Sequence, residues 1–251
     1  MYQQQQPYYF MNTDVKTPFN ILFEDNHLMI VLKPHGVVSE ADEYHDIALD
    51  TKLRDFIKKR DQKPGNVYLK AVHRLDKPAT GLVIFAKTSK ALERMHKMMQ
   101  DKQIEKTYLA CLEKAPSFDS GHLIHYLTHK LHKAEVTNEK IGKKSELDYK
   151  VIEKQPSWTW VEVKLITGRY HQIRAQFATI GSPILGDTRY GANTHLNDEA
   201  IALVNIRVSF LHPVTKLPVM VEHPDAHARL SVFLDKLLQR QQGRSSQLRT
   251  P

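Results

Sequence analysis

Apolar residues along this chain fall mostly in short runs rather than in long helical stripes. In "ILFEDNHLMIVLKPHG" two such runs are separated by Glu24, Asp25 and Asn26, the pattern of strand, turn and strand. The second run stops at a turn, Lys33-Pro34-His35-Gly36. The run over residues 82–86 predicts a buried strand, and further strands are expected over 107–112, 158–166 and 200–210. "HPVTKLPVMVEHP" adds a turn and a final strand. Helical spacing is rarer. Ser89 is placed to cap a helix with Leu92, Met95 and Met99 on one face and Lys90, Glu93, Arg94 and Lys97 outside. Ile173, Phe177 and Ile180 mark a second helix starting near Thr167 to Tyr170, with Gly181 at its stop and Pro183 beyond. A closing helix is expected over 230–238. Strands outnumber helices and do not alternate strictly with them. The predicted class is α+β, with a mixed, mainly antiparallel twisted sheet and flanking helices and loops.

No linker or internal repeat divides the chain. Residues 1–17 are polar and glutamine-rich and read as a flexible arm, and 241–251 read as a flexible basic tail. One domain over 18–240 is expected between them, and 251 residues suffice for a substantial core.

Composition narrows the partner more than the fold. Apolar and charged residues make up 41% and 25%, as in an ordinary globular protein. No apolar stretch approaches the roughly 20 residues needed to span a bilayer, and the first residues lack a secretory pattern. The single cysteine, Cys111, lies in the apolar "TYLACLE" and reads as a buried structural thiol; a reducing, cytoplasmic location is expected. The net charge of +8 favours a polyanion, and no basic amphipathic helix points to a membrane, so nucleic acid is the expected partner.

Two stretches carry candidate chemistry. In "LKAVHRLDKPATGLVIFA", Pro78 keeps Asp76 on a loop, between a strand entering from Val72 and the strand that leaves at Leu82. A turn acid capping backbone amides is the alternative reading of Asp76. In "ITGRYHQIRAQFATIGSPILGDTRYG", Arg169, His171 and Arg174 fall in the opening turns of a helix, where the macrodipole prefers anions. A carboxylate such as Asp76, or an RNA phosphate, would resolve that conflict.

These stretches resemble the motifs of the RluA-type pseudouridine synthases. "HRLDKPATG" is similar to the family signature, "TGRYHQIRAQFATIGSPILGDTRYG" to the downstream motif and "FEDNHLMIVLKPHG" to the opening one. "EKTYLA" matches the short motif with the family tyrosine, and "FLHPVTKLPVMVEHP" the closing hairpin. The five run in order from about Ile21 to Pro224. The resemblance implies the pseudouridine synthase fold and conversion of uridine to pseudouridine in ribosomal or transfer RNA, with no cofactor, no metal and no obligate protein partner, by a monomer. It gives Asp76 the place of the catalytic aspartate, Tyr108 that of the tyrosine against the target base, and Arg174 that of the basic partner of the aspartate. Arg74 matches the arginine that enters the RNA where the nucleotide flips out. Arg169 and His171 are expected to contact RNA, while His73 and Leu75 frame the signature. The family's optional N-terminal S4 domain is not expected ahead of a first motif near Ile21.

Ala79-Thr80 stands where threonine-serine is common, Tyr170 replaces a small hydroxyl residue, and "RAQF" replaces Arg-Val-His-Leu. These departures bear on RNA contacts and target choice. Three other readings compete. "HLIHYLTHKLHK" places His122, His125, His129 and His132 at helical spacing, as in a zinc face, but no cysteine or carboxylate completes a ligand pattern. "DKPATG" is superficially similar to the phosphorylation motif of transport ATPases, without their acidic cluster. A non-catalytic RNA-binding protein of the same fold would have no need of Asp76, Tyr108 and Arg174 together.

Overall fold

The two apolar runs at the start form β1 (Ile21–Glu24) and β2 (Leu28–Lys33), paired antiparallel, in a computed structural model that describes residues 18–43, 47–196 and 199–224. The expected arm 1–17, basic tail 241–251 and closing helix 230–238 all lie outside the described residues. Next come α1 (Leu49–Arg60), β3 (Lys70–Ala71), β4 (Thr80–Ala86), α2 (Ser89–Gln100) and β5 (Glu105–Leu112). A long hairpin region follows, β6 (Ser120–Lys130), β7 (Lys133–Thr137), β8 (Lys143–Gln155) and β9 (Trp158–Leu165). α3 (Gln172–Thr179), β10 (Leu203–Leu211) and β11 (Pro218–Glu222) complete the order.

The strands make one sheet in the order β1-β2-β4-β10-β5-β9-β8-β6-β7, with β3 beside β4 and β11 beside β10. Among the described pairs only β4 with β10 is parallel, over Thr80–Gly81 against Val204–Asn205. The sheet is thus mixed and mainly antiparallel.

Its central strands are continuous apolar runs because both faces are covered. Alternation sends Met29, Val31, Val83 and Phe85 to one face, where Leu49, Leu53 and Ile57 of α1 pack. Leu28, Ile30, Leu82 and Ile84 go to the other, against Ala91 and Met95 of α2. α1 went unread in the sequence. Its buried residues recur every four positions, with Asp50 in the first turn and Lys58, Lys59 and Arg60 in the last, the charge order a helix dipole favours. α2 is capped by Thr88, whose side chain accepts the Ala91 amide, so Ser89 is the first helical residue rather than the cap.

The histidine segment is a strand, not a helix. β6 pairs with β8 from Ser120 to Leu127 and with β7 from Tyr126 to Lys130, and the turn between β6 and β7 holds Leu131 and His132 at positive φ. His122 pairs with Asp148 at 2.7 Å, His125 meets the Gln176 amide at 3.1 Å, and the His129 ring lies 4.4 Å from that of Tyr170. Spacing of three and four residues put them on one helical face; on a two-residue repeat they diverge.

Candidate active site

Asp76 sits on the loop between β3 and β4, and its backbone is tied on both sides. The Leu75 amide donates to the Ser39 hydroxyl at 3.1 Å, and the Lys77 carbonyl accepts from the Gly36 amide at 2.8 Å. The Ala79 amide returns to the Asp76 carbonyl at 3.0 Å, and the Pro78 carbonyl accepts from Ile201. His73 closes the base of the loop: its Nε2 accepts the Ile84 amide at 3.3 Å, while the Val72 amide donates to the Ile84 carbonyl. Burial, with Lys106 adding, pulls the His73 imidazole down to about 3, so it is neutral and keeps that acceptor. Val72 therefore lies just beyond β3, within the tethered loop.

Lys33 braces the loop from beneath. Its buried ammonium donates to the carbonyls of Pro34, Val37 and Lys77 at 3.0, 2.7 and 3.2 Å. Burial pulls it down to about 7, and the charge of Asp76 works the other way.

The Asp76 side chain keeps 23% exposure, so its carboxylate meets solvent while its loop does not move freely. Arg174, on the first turn of α3, donates from Nη1 to Asp76 Oδ2 at 3.0 Å. The same guanidinium grips Asp187 with Nε at 2.6 Å and Nη2 at 2.8 Å. Arg174 is 4% exposed and Asp187 1%. Burial opposes the arginine's charge, but the hydrogen bonds and charges of Asp187 and Asp76 outweigh it and lift the value above the usual arginine range. Asp187 precedes the short 3-10 turn Thr188–Tyr190, and sequence reasoning missed it. Its stretch, "SPILGDTRYG", reads as a turn, so no local signal marks the acid as buried.

α3 begins at Gln172, later than the predicted start, with His171 as its N-cap in a left-handed conformation, φ 49° and ψ 26°. That backbone is unfavourable for a non-glycine residue. It carries the imidazole inward, 7% exposed, with Nε2 3.6 Å from Asp76 Oδ2. Its ring stacks on Tyr170 at 3.8 Å. Burial first, then Arg174 and Arg189, pulls His171 down to about 3. His171, expected to contact RNA, lies beside the acid, the carboxylate partner that the helix-start reading allowed for. Arg169 is exposed, its Nε 3.4 Å from the Lys144 carbonyl. Gln172 ties this corner together, accepting from the Arg169 amide and the Thr167 hydroxyl and donating to the Glu146 carbonyl.

Tyr108, on β5, is buried behind the acid and within electrostatic reach of it; burial and then the Asp76 charge raise the phenol well above its ordinary value. Arg74, two residues before Asp76, is exposed. Asp76 and Arg174 thus converge from a loop and a helix start, with Tyr108 of a central strand within electrostatic reach and Arg74 exposed two residues from the acid. The arrangement presents one partly exposed carboxylate, anchored through Oδ2.

Residues 27–179 match the model of a family described as RNA pseudouridylate synthase. A ribosomal large subunit pseudouridine synthase D of Nitrosomonas europaea is 33% identical over 201 residues, covering 78% of this chain. An uncharacterized RNA pseudouridine synthase of Aquifex aeolicus is 31% identical over 234 residues, covering 87% of this chain. The chain spans 56% of the length of the first relative and 74% of the second. A solved structure, human RNA pseudouridylate synthase domain containing 4, shares the fold with a TM-score of 0.68 at 19% identity, over 81% of this chain and 87% of that one. With a family match over more than half its residues, the chain belongs to the RNA pseudouridylate synthase family.

Proposed function

We propose that this chain isomerises uridine in structured RNA to pseudouridine, with Asp76 as the reacting carboxylate. The observation that carries the reading is the Asp76 side chain itself. It is partly exposed on a tethered loop, held through Oδ2 by Arg174 at 3.0 Å, with Tyr108 behind it. A capping acid would point at backbone amides; this one is held by an arginine and stays partly exposed.

In the reaction the N1–C1′ bond breaks, the uracil turns, and C5 joins C1′ as the C5 hydrogen leaves. Atoms and electrons balance without a redox partner, so no cofactor is called for. Asp76 acts either by adding to C1′ or by taking the C2′ proton to give a glycal, and both need the carboxylate that Arg174 stabilises. Tyr108 gives the detached base a flat wall, and the chemistry requires that water be kept from the base once the RNA is bound. Extruding a paired nucleotide costs a few kcal/mol, and Arg74 fills the vacated stack. Arg169 and other surface cations hold phosphates without reading sequence. The names of the relatives make large-subunit ribosomal RNA the first substrate to examine, ahead of transfer RNA. The enzyme is expected to work as a monomer in the cytoplasm.

The test uses [5-3H]uridine-labelled RNA from cells lacking the gene, since forming the C5–C1′ bond releases the tritium. Wild-type protein should release it and create mapped pseudouridines. A folded Asp76→Asn that does the same would defeat the reading, and so would wild-type protein that binds the RNA without releasing tritium.

A further inference from the structure

Two groups approach the same oxygen of Asp76: Arg174 Nη1 lies 3.0 Å and His171 Nε2 3.6 Å from Oδ2. The mechanism above uses Arg174 and leaves His171 unexplained, although the chain adopts an unfavourable backbone to bury it there.

On its far side the imidazole meets Tyr190. His171 Nδ1 lies 3.0 Å from the Tyr190 hydroxyl, and that oxygen accepts the Ala134 amide at 2.7 Å. Among the described residues these are the two hydrogen-bond partners of the hydroxyl. Ala134 has only a hydrogen to give, so it occupies a lone pair of the phenol oxygen. The phenol O–H then has one acceptor within reach, His171 Nδ1. Burial keeps that proton on the phenol, pushing Tyr190 up to about 12, and keeps His171 uncharged. A neutral imidazole whose Nδ1 accepts must carry its hydrogen on Nε2, the atom that faces Asp76.

We propose that His171 is a positioning residue for Asp76, an uncharged Nε2–H donor whose tautomer is set by the Tyr190 hydroxyl and which, with Arg174, fixes Oδ2 so that Oδ1 faces the reacting nucleotide. The inference rests on Asp76 being the reacting carboxylate. At 3.6 Å the contact is longer than a hydrogen bond, and a small turn of the carboxylate towards the ring closes it. A neutral donor suits this place. A second cation beside Arg174 would stabilise the carboxylate further and blunt its reactivity, whereas an N–H dipole orients it at less electrostatic cost. Tyr170, stacked on the ring, limits its rotation. Because Ala134 lies on β7, the chain of contacts also links the β6–β7 hairpin to the acid.

The test has a direct and a kinetic arm. Nitrogen NMR of the histidine-labelled full chain should find His171 neutral from pH 6 to 8, with its proton on Nε2; a proton on Nδ1 overturns the proposal without reference to any substrate. In single-turnover tritium release from the labelled RNA, His171→Ala should slow the step about tenfold, with RNA affinity and thermal unfolding close to wild type. His171→Gln, which keeps an N–H at similar reach, should recover most of the rate. Tyr190→Phe should be slow, and the double variant His171→Ala/Tyr190→Phe no slower than His171→Ala alone, because Tyr190 acts through the ring. A wild-type rate in His171→Ala alongside an inactive Asp76→Asn overturns the proposal and leaves the proposed function standing. Additive losses in the double variant overturn the tautomer link. Full activity in Asp76→Asn overturns the functional reading itself. Should His171→Ala fail to fold, the NMR arm and the Gln variant still decide.

Discussion

Arg174 is shared between two carboxylates: one N–H goes to Asp76 at 3.0 Å, while two others hold Asp187 at 2.6 and 2.8 Å. The bidentate grip fixes the guanidinium plane before any substrate arrives, and Nη1 then fixes the reacting acid. Asp187 is therefore the anchor, and Asp76 is the end that can respond to a substrate. A buried arginine shared this way also resolves the conflict of a cation in the first turn of α3.

Replacing Asp187 by Asn separates those roles. The arginine keeps Asp76 but loses the charge that pays for its burial, and breaking a buried pair from one side costs about 3 kcal/mol. Urea unfolding should show a loss of that order. The tritium-release rate should fall as well, because the guanidinium is freed to turn fully onto Asp76. Unchanged stability and rate would mean that Asp187 is a spectator.

Arg74 is exposed two residues before the acid, whereas Arg174 and His171 hold that acid from buried positions. Its expected work is on the RNA, after binding and before chemistry. Arg74→Ala should lower affinity for the labelled RNA less than about fivefold while slowing single turnover about tenfold or more. A loss confined to affinity would make Arg74 a phosphate contact only.

Much of this was legible in the sequence, for reasons that separate cleanly. The runs around Ile30 and Ile84 are apolar throughout because their sheet region is covered on both faces, and that pattern survives any register. Asp76 and Arg174 were paired from charge placement near a helix start and from the family motifs. Asp187 and Tyr190 were hidden in a stretch that reads as a turn, since nothing local says which buried cation an acid will meet. The burial of His171 was not legible because exposure is a tertiary property: a left-handed N-cap turns its ring inward while Arg169 and Tyr170 beside it stay exposed. The four histidines of β6 and its turn misled for the opposite reason. Their spacing fits a helix by coincidence, and only the pairing of β6 with β8 reveals the strand.

His73 predicts a pH dependence. Its folded value is pulled down to about 3 by burial and by Lys106, against an ordinary value of 6.5. Between those values the unfolded chain holds a proton that the folded chain refuses. The contribution to stability is thus complete above pH 6.5 and is lost as the pH falls towards 3, by up to about 1.4 kcal/mol per pH unit. His73→Gln keeps an acceptor for the Ile84 amide and does not titrate. Urea unfolding at pH 7, 6 and 5 should find wild type losing stability more steeply than the variant; parallel curves would mean that His73 is protonated in the fold.

Gly81 predicts the sharpest steric effect. It stands at φ +118°, where β4 and β10 run parallel, and a Cβ there would lie 2.4 Å from both the Asn205 nitrogen and its carbonyl oxygen. Those are backbone atoms of a central strand and have nowhere to go. Asn205 is also the cross-strand partner of Tyr108, so a shift of β10 away from β4 disturbs the wall behind Asp76. Gly181, past the end of α3, has a positive φ too, at +77°, but nothing within 4 Å of the same position. Alanine at 181 carries only the backbone penalty, about 1 kcal/mol. Alanine at 81 carries that penalty plus the displacement of a strand, about 3 kcal/mol or more. Unfolding measurements on the two variants should therefore differ by at least about 2 kcal/mol. Where Gly81→Ala folds at all, its tritium-release rate should fall while that of Gly181→Ala does not. Equal stabilities would show that β4 and β10 can separate freely, and that the close approach beside Tyr108 is not what the glycine is for.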